Sequence, residues 1–188
     1  MQWAAQRPPA RAIETLRTAT KATSITLSTR ERRDPLRDNR GVAVQVSVIG
    51  SGAAHEAAAE EVGRLLARRG CTVVTGGGGE VMAAAARGAR QAGGTTIGIL
   101  PGESRTGASE WVEHVVVTGI GHARNLAVAA SGDAVIAVGG SWGTLAEIGF
   151  AKRLGRPVVV LEPGLRVEGV QTAATPAEAV ERALAQLP

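Results

Sequence analysis

Residues 133–151 read DAVIAVGGSWGTLAEIGFA, an apolar strand that passes through a glycine-rich turn into a helix. Such a junction points several backbone N–H groups and the positive end of the helix dipole at one place, which suits a phosphate or another anion. We expect Glu147 in the first turn of this helix, where its carboxylate faces whatever the anion is attached to. The segment therefore predicts a binding site for a phosphorylated small molecule, with a carboxylate that suits catalysis.

The rest of the chain repeats this organisation. From Gly41 onward, apolar runs alternate with helical patterns, which is typical of βαβ units and a parallel sheet. The predicted strands are nearly continuous apolar runs, as expected when helices cover both faces of the sheet. We therefore predict an α/β fold with a doubly wound, Rossmann-like parallel sheet and helices on both faces. Predicted strands span residues 42–49, 71–75, 95–100, 114–117, 134–138 and 157–161, and predicted helices span 54–69, 80–91, 121–130, 144–154 and 175–187.

Three glycine-rich turns, at residues 50–52, 76–79 and 139–143, each follow a predicted strand. Ligands in such folds bind beyond the carboxyl ends of the strands, so the turns are expected to converge on one edge of the sheet. The chain contains neither GxGxxG nor GxxxxGK[ST], which excludes ordinary dinucleotide-binding and P-loop sites. The candidate ligand- and phosphate-binding residues are Gly50, Ser51, Gly76, Gly77, Gly78, Gly79, Gly139, Gly140, Ser141, Trp142, Gly143 and Thr144.

Charge is distributed unevenly along the 188 residues. Residues 1–40 hold nine Lys and Arg against four Asp and Glu, whereas residues 41–188 hold twelve against thirteen. We interpret residues 1–40 as a basic, disordered extension and residues 41–188 as the nucleotide- or phosphate-binding domain. Aromatic residues make up only 2% of the chain and no basic stripe crosses the domain, so nucleic-acid recognition there is not indicated.

Composition also predicts the compartment and the kind of site. No stretch approaches the roughly 18 apolar residues of a membrane span, and no signal peptide opens the chain, so we expect a cytoplasmic protein without membrane contact. An organellar targeting segment over residues 1–30, which contain Glu14 as their single acid, stays open as an alternative. The single cysteine, Cys71, excludes an internal disulfide and a CxxC metal site. We expect no metal site and no required cofactor.

Several of the residues with chemical potential have a structural interpretation as well. Thr144 and Glu147 spell T-x-x-E, a capping box that would by itself account for both. Arg124 fits the exposed face of a helix, and a lone histidine such as His122 is more often structural or merely exposed than functional. Trp142 lies in the turn, where it would either cover an aromatic ring of a ligand or pack against a neighbouring subunit.

Residues 42–161 resemble the LOG superfamily of Rossmann-like proteins, named for cytokinin-activating enzymes that release a free base from a nucleoside 5′-monophosphate. The stretch from Gly139 to Glu147 lies along the family signature Pro-Gly-Gly-x-Gly-Thr-x-Glu-Glu. Arg124 falls at the position of the family's catalytic Arg, and Glu147 at that of its catalytic second Glu. The turn at residues 76–79 resembles the family's other phosphate-side glycine motif.

The chain departs from that signature at four positions. Gly139 stands in place of Pro, Ser141 in place of Gly, Ala146 in place of the first Glu, and Asn125 in place of the Lys that follows the catalytic Arg. The overall pattern is more similar to the branch of the superfamily that includes molybdenum cofactor carrier proteins.

The resemblance implies two alternative functions. One is binding, without turnover, of a phosphorylated nucleotide-like or pterin ligand, with the molybdenum cofactor as one bound ligand. The other is a nucleoside 5′-monophosphate phosphoribohydrolase, in which Glu147 would stabilise positive charge on the sugar or activate water, and Arg124 would orient Glu147 and the ribose or phosphate. Whether the protein is an enzyme stays open at this point. The resemblance also implies a homodimer or homotetramer.

Overall fold

A computed structural model describes residues 41–161, 163 and 165–188. The interpretations of residues 1–40, as a basic extension or as a targeting segment, lie outside the described residues. Within the described part of the chain, no helix is both long enough and apolar enough to cross a membrane.

The described residues form one sheet of seven parallel strands with five α-helices, which confirms the predicted α/β class and the doubly wound parallel sheet. The strands are β1 (Gln45–Ser51), β2 (Thr72–Thr75), β3 (Thr96–Leu100), β4 (His114–Val117), β5 (Ala134–Gly139), β6 (Val158–Leu161) and β7 (Gln171–Ala173). The helices are α1 (Glu56–Arg68), α2 (Glu80–Gln91), α3 (Arg124–Ser131), α4 (Trp142–Arg153) and α5 (Pro176–Leu184), with short 3₁₀ turns at Ala53–His55 and Gly121–Ala123.

The strand order places the point of reversal at the centre of the sheet. The order is β4-β3-β2-β1-β5-β6-β7, so the chain runs outward from β1 to β4 and then returns to β5, on the other side of β1. β1 and β5 pair in parallel from Val46 opposite Ala134 to Ser51 opposite Gly139. In doubly wound sheets, the crevice beyond the carboxyl ends of two such strands is where ligands bind.

Two buried apolar clusters cover the two faces of this sheet. One packs α1, α2 and α5 against side chains such as Val46 and Val48, and the other packs α3 and α4 against side chains such as Ile49 and Val135. Because successive residues of a strand point to opposite faces, a strand buried on both sides must be apolar throughout. This explains the continuous apolar runs in the sequence.

Helices α1 and α2 cross at two glycines. A Cβ atom on Gly63 would lie 1.9 Å from the carbonyl oxygen of Ala85, and a Cβ on Gly88 would lie 1.9 Å from the carbonyl oxygen of Glu60. The two backbones therefore approach each other more closely than any side chain allows.

We expect Gly63→Ala to lower the free energy of unfolding by about 2 kcal/mol, because overpacking a well-packed contact costs about 1–3 kcal/mol. Urea denaturation of the variant and the wild type measures this difference. The matched control is Gly102→Ala, since a Cβ there would meet nothing within 4 Å. Equal losses in the two variants would contradict the packing account.

Boundaries of the predicted elements agree with the structure to within three residues, but two predictions were wrong. β7 was not predicted, because its sequence QTA is short and lacks an apolar run. The helix predicted to begin at Thr144 begins at Trp142, because Ser141 is its N-cap residue. Glu147 therefore lies in the second turn of α4 and not in the first.

Candidate functional site

A cavity of about 150 Å³ lies beyond the carboxyl ends of β1 and β5, beside the N-termini of α3 and α4. We call it the anion pocket. Its lining residues are Gly50, Ser51, Met82, His122, Arg124, Asn125, Ser141, Gly143, Thr144 and Glu147. The pocket thus brings together residues from three parts of the sheet edge, as expected from the convergence of the glycine-rich turns.

Arg124 is the first residue of α3, and its side chain is half-buried in this pocket. Its Nε atom is buried and has no hydrogen-bond partner in the part of the chain that the structure describes. Burial lowers the pKa of Arg124, although the nearby charge of Glu147 opposes this effect. Gly76 provides the space for the guanidinium group, since a Cβ atom on Gly76 would lie 2.2 Å from Arg124 Nη1. The first glycine of the 76–79 turn therefore belongs to the pocket through Arg124.

Glu147 is only 7% exposed, an unusual degree of burial for a carboxylate. No hydrogen bond to it occurs among the residues that the structure describes. Burial raises the pKa of Glu147 from 4.5 to about 7, and the positive charge of Arg124 offsets part of that increase. Near neutral pH the carboxyl group is therefore present in both its neutral and its ionised form.

The capping-box interpretation of Thr144 and Glu147 is wrong. The capping box of α4 is formed by Ser141 as N-cap and Thr144 as N3, with the backbone N–H of Ser141 donating to Thr144 Oγ1 at 3.4 Å. The helix starts one turn earlier than the T-x-x-E spacing suggests, so capping does not involve Glu147. Capping therefore does not explain why Glu147 is buried beside the anion pocket.

The remaining candidates occupy different environments. Gly139 and Gly140 do not line the pocket; a Cβ on Gly139 would lie 2.3 Å from His55 Cδ2, and one on Gly140 would lie 2.9 Å from Thr144 Cβ. These two glycines permit close packing beneath the turn. Trp142 is 85% exposed and is not among the residues that line the pocket.

The 76–79 turn divides between two cavities. Gly76 faces Arg124, Gly77 packs against Leu100, and Gly78 and Gly79 line a second cleft of about 500 Å³. Within this turn, Gly76 is therefore the residue that contacts a side chain of the anion pocket.

Three further side chains reach the anion pocket: His122, Asn125 and Met82. The sequence shows His122 only as a lone histidine before a predicted helix, and Met82 only as a residue shortly after the second glycine-rich turn. The sequence feature that could have indicated all three is their position, because each lies within one turn of the start of a helix at the edge of the sheet. No group of three or more His, Cys, Asp or Glu side chains in the described ranges is placed to hold a metal ion.

Comparison with known proteins identifies relatives of this chain. The model of the SLOG cluster4 family matches residues 43–186. An uncharacterised protein from Archaeoglobus fulgidus is 38% identical over 140 residues, which cover 73% of this chain and 92% of that protein.

Solved structures give the same result. The molybdenum cofactor binding protein from Rippkaea orientalis superposes with a TM-score of 0.67 at 34% identity, covering 73% of this chain and 92% of that one. The molybdenum cofactor carrier protein from Chlamydomonas reinhardtii superposes with a TM-score of 0.68 at 35% identity, covering 76% and 99% respectively. The chain therefore belongs to the SLOG cluster4 family, within the LOG superfamily of Rossmann-like proteins.

Proposed function

We propose that the protein binds a phosphorylated nucleotide-like or pterin ligand, with the phosphate in the anion pocket, and carries it without turnover. The observation that supports this most strongly is the buried Nε atom of Arg124, for which residues 41–161, 163 and 165–188 provide no hydrogen-bond partner. A buried donor on a charged group that lacks a partner costs about 1–3 kcal/mol or more. A phosphate oxygen would remove that cost, and Arg binds phosphate well because its planar guanidinium donates two parallel hydrogen bonds.

The N-terminus of α4 supports the same assignment. Ser141 and Gly143 line the pocket at the start of this 12-residue helix, where the helix dipole is positive. The capping box uses the N–H groups of Ser141 and Thr144, and those of Trp142 and Gly143 have no partner among the described residues. A helix N-terminus and an arginine at one cavity form a typical environment for a phosphate group.

The proteins of similar structure suggest which ligand the pocket serves. Two of them are described as a binding protein and a carrier protein for the molybdenum cofactor. That cofactor is a pterin derivative with a terminal phosphate, and the Arg124 environment suits this phosphate. We therefore include the molybdenum cofactor among the ligands proposed for this chain.

Titration calorimetry of the full chain with ribose 5-phosphate tests the binding proposal. Ribose 5-phosphate carries the phosphate without a base, so its binding reports on the anion pocket alone. We expect saturable binding at one site per chain. The proposal fails if the folded protein gives no heat and no thermal stabilisation with ribose 5-phosphate, nucleoside monophosphates or pterin phosphates.

A second candidate function, nucleoside 5′-monophosphate phosphoribohydrolase, is favoured by the position of Glu147 beside Arg124 in the same pocket. Cleavage of the bond between the base and the ribose passes through a state with positive charge on the sugar, as in glycoside hydrolysis. The ionised carboxylate of Glu147 would stabilise that charge or activate water.

If this function is correct, Glu147→Gln lowers the turnover rate by about 10²–10⁴-fold, the usual contribution of a positioned acid or base. Because the pKa of Glu147 is about 7, the wild-type rate would also rise with pH through neutrality. Chromatography of free base and ribose 5-phosphate, after incubation with AMP, GMP, CMP, UMP and a prenylated AMP, measures both effects. Full activity in Glu147→Gln would contradict the mechanism, and no release from any substrate would leave carriage as the function.

We also propose that a second copy of the chain covers the outer face of α4. Trp142, Ala146 and Phe150 recur at four-residue spacing on this face and are exposed, with Trp142 85% and Phe150 36% exposed. Their inner neighbours Ile148 and Ala151 are buried in the core, so α4 is apolar on both sides. A helix that is apolar all round is normally buried on all sides.

Sedimentation velocity tests this assembly. We expect a dimer or a larger assembly for the wild type and a monomer for Phe150→Glu, because a buried unpaired charge disfavours the interface. The matched control is Val116→Glu, since Val116 is also exposed but lies on β4 at the far edge of the sheet. A wild type that stays monomeric at every concentration would refute the interface.

A further inference from the structure

The larger of the two cavities described above is not part of the proposed phosphate site. This cleft of about 500 Å³ lies at the end of the 76–79 turn and is lined in part by Gly78, Glu56, Glu80, Glu110 and Trp111. Its volume lies within the range of about 300–1,000 Å³ that is usual for small-molecule sites. The anion pocket, at about 150 Å³, is below that range and accommodates a phosphate and not a whole ligand. The rest of any nucleotide-sized ligand must therefore lie elsewhere.

The two cavities share one short piece of backbone. Gly76 contacts the guanidinium of Arg124, and Gly78, two residues later, lines the cleft. Consecutive Cα atoms are about 3.8 Å apart, so these two glycines are separated by about 7 Å at most. A ligand with a phosphate at one end and a ring at the other is long enough to occupy both cavities.

The wall of the cleft opposite the turn is held in place by hydrogen bonds. The backbone N–H of Ser109 donates to the carbonyl oxygen of Gly77 at 2.8 Å. Thr96 Oγ1 donates to the carbonyl oxygen of Trp111 at 2.9 Å. These contacts fasten the β3–β4 loop to the turn and to β3, so the cleft exists without a ligand.

The charges of the cleft favour a ligand part that donates hydrogen bonds. Glu80 and Glu110 are exposed at the rim of the cleft and form no hydrogen bond or ion pair among the described residues, whereas Glu56 interacts electrostatically with Arg87. The one cation in the lining, Arg87, is already bound to Glu60 by hydrogen bonds of 3.0 and 2.6 Å. An unpaired carboxylate accepts two parallel N–H bonds, whereas it repels a second anion.

The half-buried indole of Trp111 adds a flat apolar surface to these acceptors. A flat ring stacks on such a surface with a favourable contribution. A guanine or pterin ring presents an amide N–H next to an amino group, which matches a carboxylate with two hydrogen bonds. Adenine presents its amino group next to a ring nitrogen that accepts, so it matches a carboxylate less well.

We propose that this cleft binds the heterocycle of the ligand and selects rings that carry an amide N–H beside an amino group, as guanine and pterins do. The proposal rests on the proposed function, because the phosphate in the anion pocket brings the ring to the cleft. The other end of such a ligand would lie beside Glu147, which lines the anion pocket, is 7% exposed and has no hydrogen-bond partner among the described residues.

Titration calorimetry of the full chain with ribose 5-phosphate, GMP and AMP tests the selection. We expect GMP to bind at least about tenfold more tightly than AMP, since a good bidentate pair contributes about that much discrimination. In the double variant Glu80→Gln/Glu110→Gln, the preference should fall below about threefold, while the affinity for ribose 5-phosphate stays within about twofold of the wild type. Glu103→Gln, an exposed carboxylate of the same loop outside the cleft lining, is the matched control and should keep the preference.

The three probes separate this inference from the proposed function. If ribose 5-phosphate binds and GMP and AMP bind equally, the selection by the cleft is overturned and the anion pocket stands. A GMP preference that survives in the double variant overturns it as well. If none of the three binds, the inference is overturned, and the proposed function is overturned with it when pterin phosphates give no binding either.

Discussion

Replacement of Arg124 by Ala is expected to weaken the binding of ribose 5-phosphate by about 100-fold or more. Hydrogen bonds between charged groups contribute about 1.5–3 kcal/mol each, and about 2.8 kcal/mol corresponds to a 100-fold change in affinity. Arg124 is placed for this role because its Nε lies buried without a partner in a side chain that lines the pocket. Titration calorimetry of both proteins measures the difference.

Arg124→Lys and Arg64→Ala are the controls for this loss. A lysine keeps the charge but not the planar pair of donors, so Arg124→Lys should recover only part of the affinity. Arg64 is an arginine that pairs with Glu61 on the surface of α1, and its removal should leave binding unchanged. If Arg124→Ala bound ribose 5-phosphate as tightly as the wild type, Arg124 would have no part in the site.

Replacement of Glu147 by Gln is expected to stabilise the ligand-free protein by up to about 3 kcal/mol at pH 8. The pKa of Glu147 is about 7 in the folded protein and 4.5 in its ordinary state, and each unit corresponds to about 1.4 kcal/mol. Between these two values the unfolded chain releases the proton while the folded protein retains it. Glu147 therefore lowers the stability as pH rises from about 4.5 to about 7, and the loss is complete above that window.

Urea denaturation at pH 4.5 and at pH 8 tests this linkage. The wild type and Glu147→Gln should have similar free energies of unfolding at pH 4.5, because the carboxyl group is then mostly neutral in the folded protein. At pH 8 the variant should be the more stable protein. Glu103→Gln, an exposed control, should change the free energy of unfolding by less than about 0.5 kcal/mol at either pH. If the wild type and Glu147→Gln differed by the same free energy of unfolding at pH 4.5 and at pH 8, burial would not perturb the pKa of this carboxyl group.

A loss of stability caused by a buried, poorly solvated group is typical of functional sites. Stabilising replacements at such positions commonly reduce function, because the protein retains a strained or poorly solvated group for its ligand. In this pocket two unfavourable features lie next to each other, the unpartnered donor of Arg124 and the unpaired carboxylate of Glu147. A ligand with a phosphate and a sugar would satisfy both.

The fold was predictable because its signals are local. Each apolar run bounded by glycine, such as the one that ends at Gly139, specifies a buried strand without reference to the rest of the chain. The edge strand β7 carries no such signal, because a short polar strand is stabilised mainly by its pairing with β6. The start of α4 was misplaced because Ser141 and Thr144 are both good N-cap residues, and only the backbone shows that Ser141 caps the helix.

The site was predictable only in part, because its main contacts are distant in sequence. The resemblance to the LOG superfamily indicated Arg124 and Glu147, but not the burial that perturbs them. The space that Gly76 leaves for Arg124 joins residues 48 positions apart. The cleft beside Trp111 depends on a loop that folds back and donates from Ser109 to Gly77. Neither arrangement has a sequence pattern that reveals it.

A crystal structure of the full chain with bound GMP would test the central claim most directly. The account predicts the phosphate in the anion pocket, with an oxygen atom within hydrogen-bond distance of Arg124 Nε and others facing the backbone N–H groups at the start of α4. A phosphate bound elsewhere on the surface, with Arg124 Nε still lacking a partner, would contradict the account.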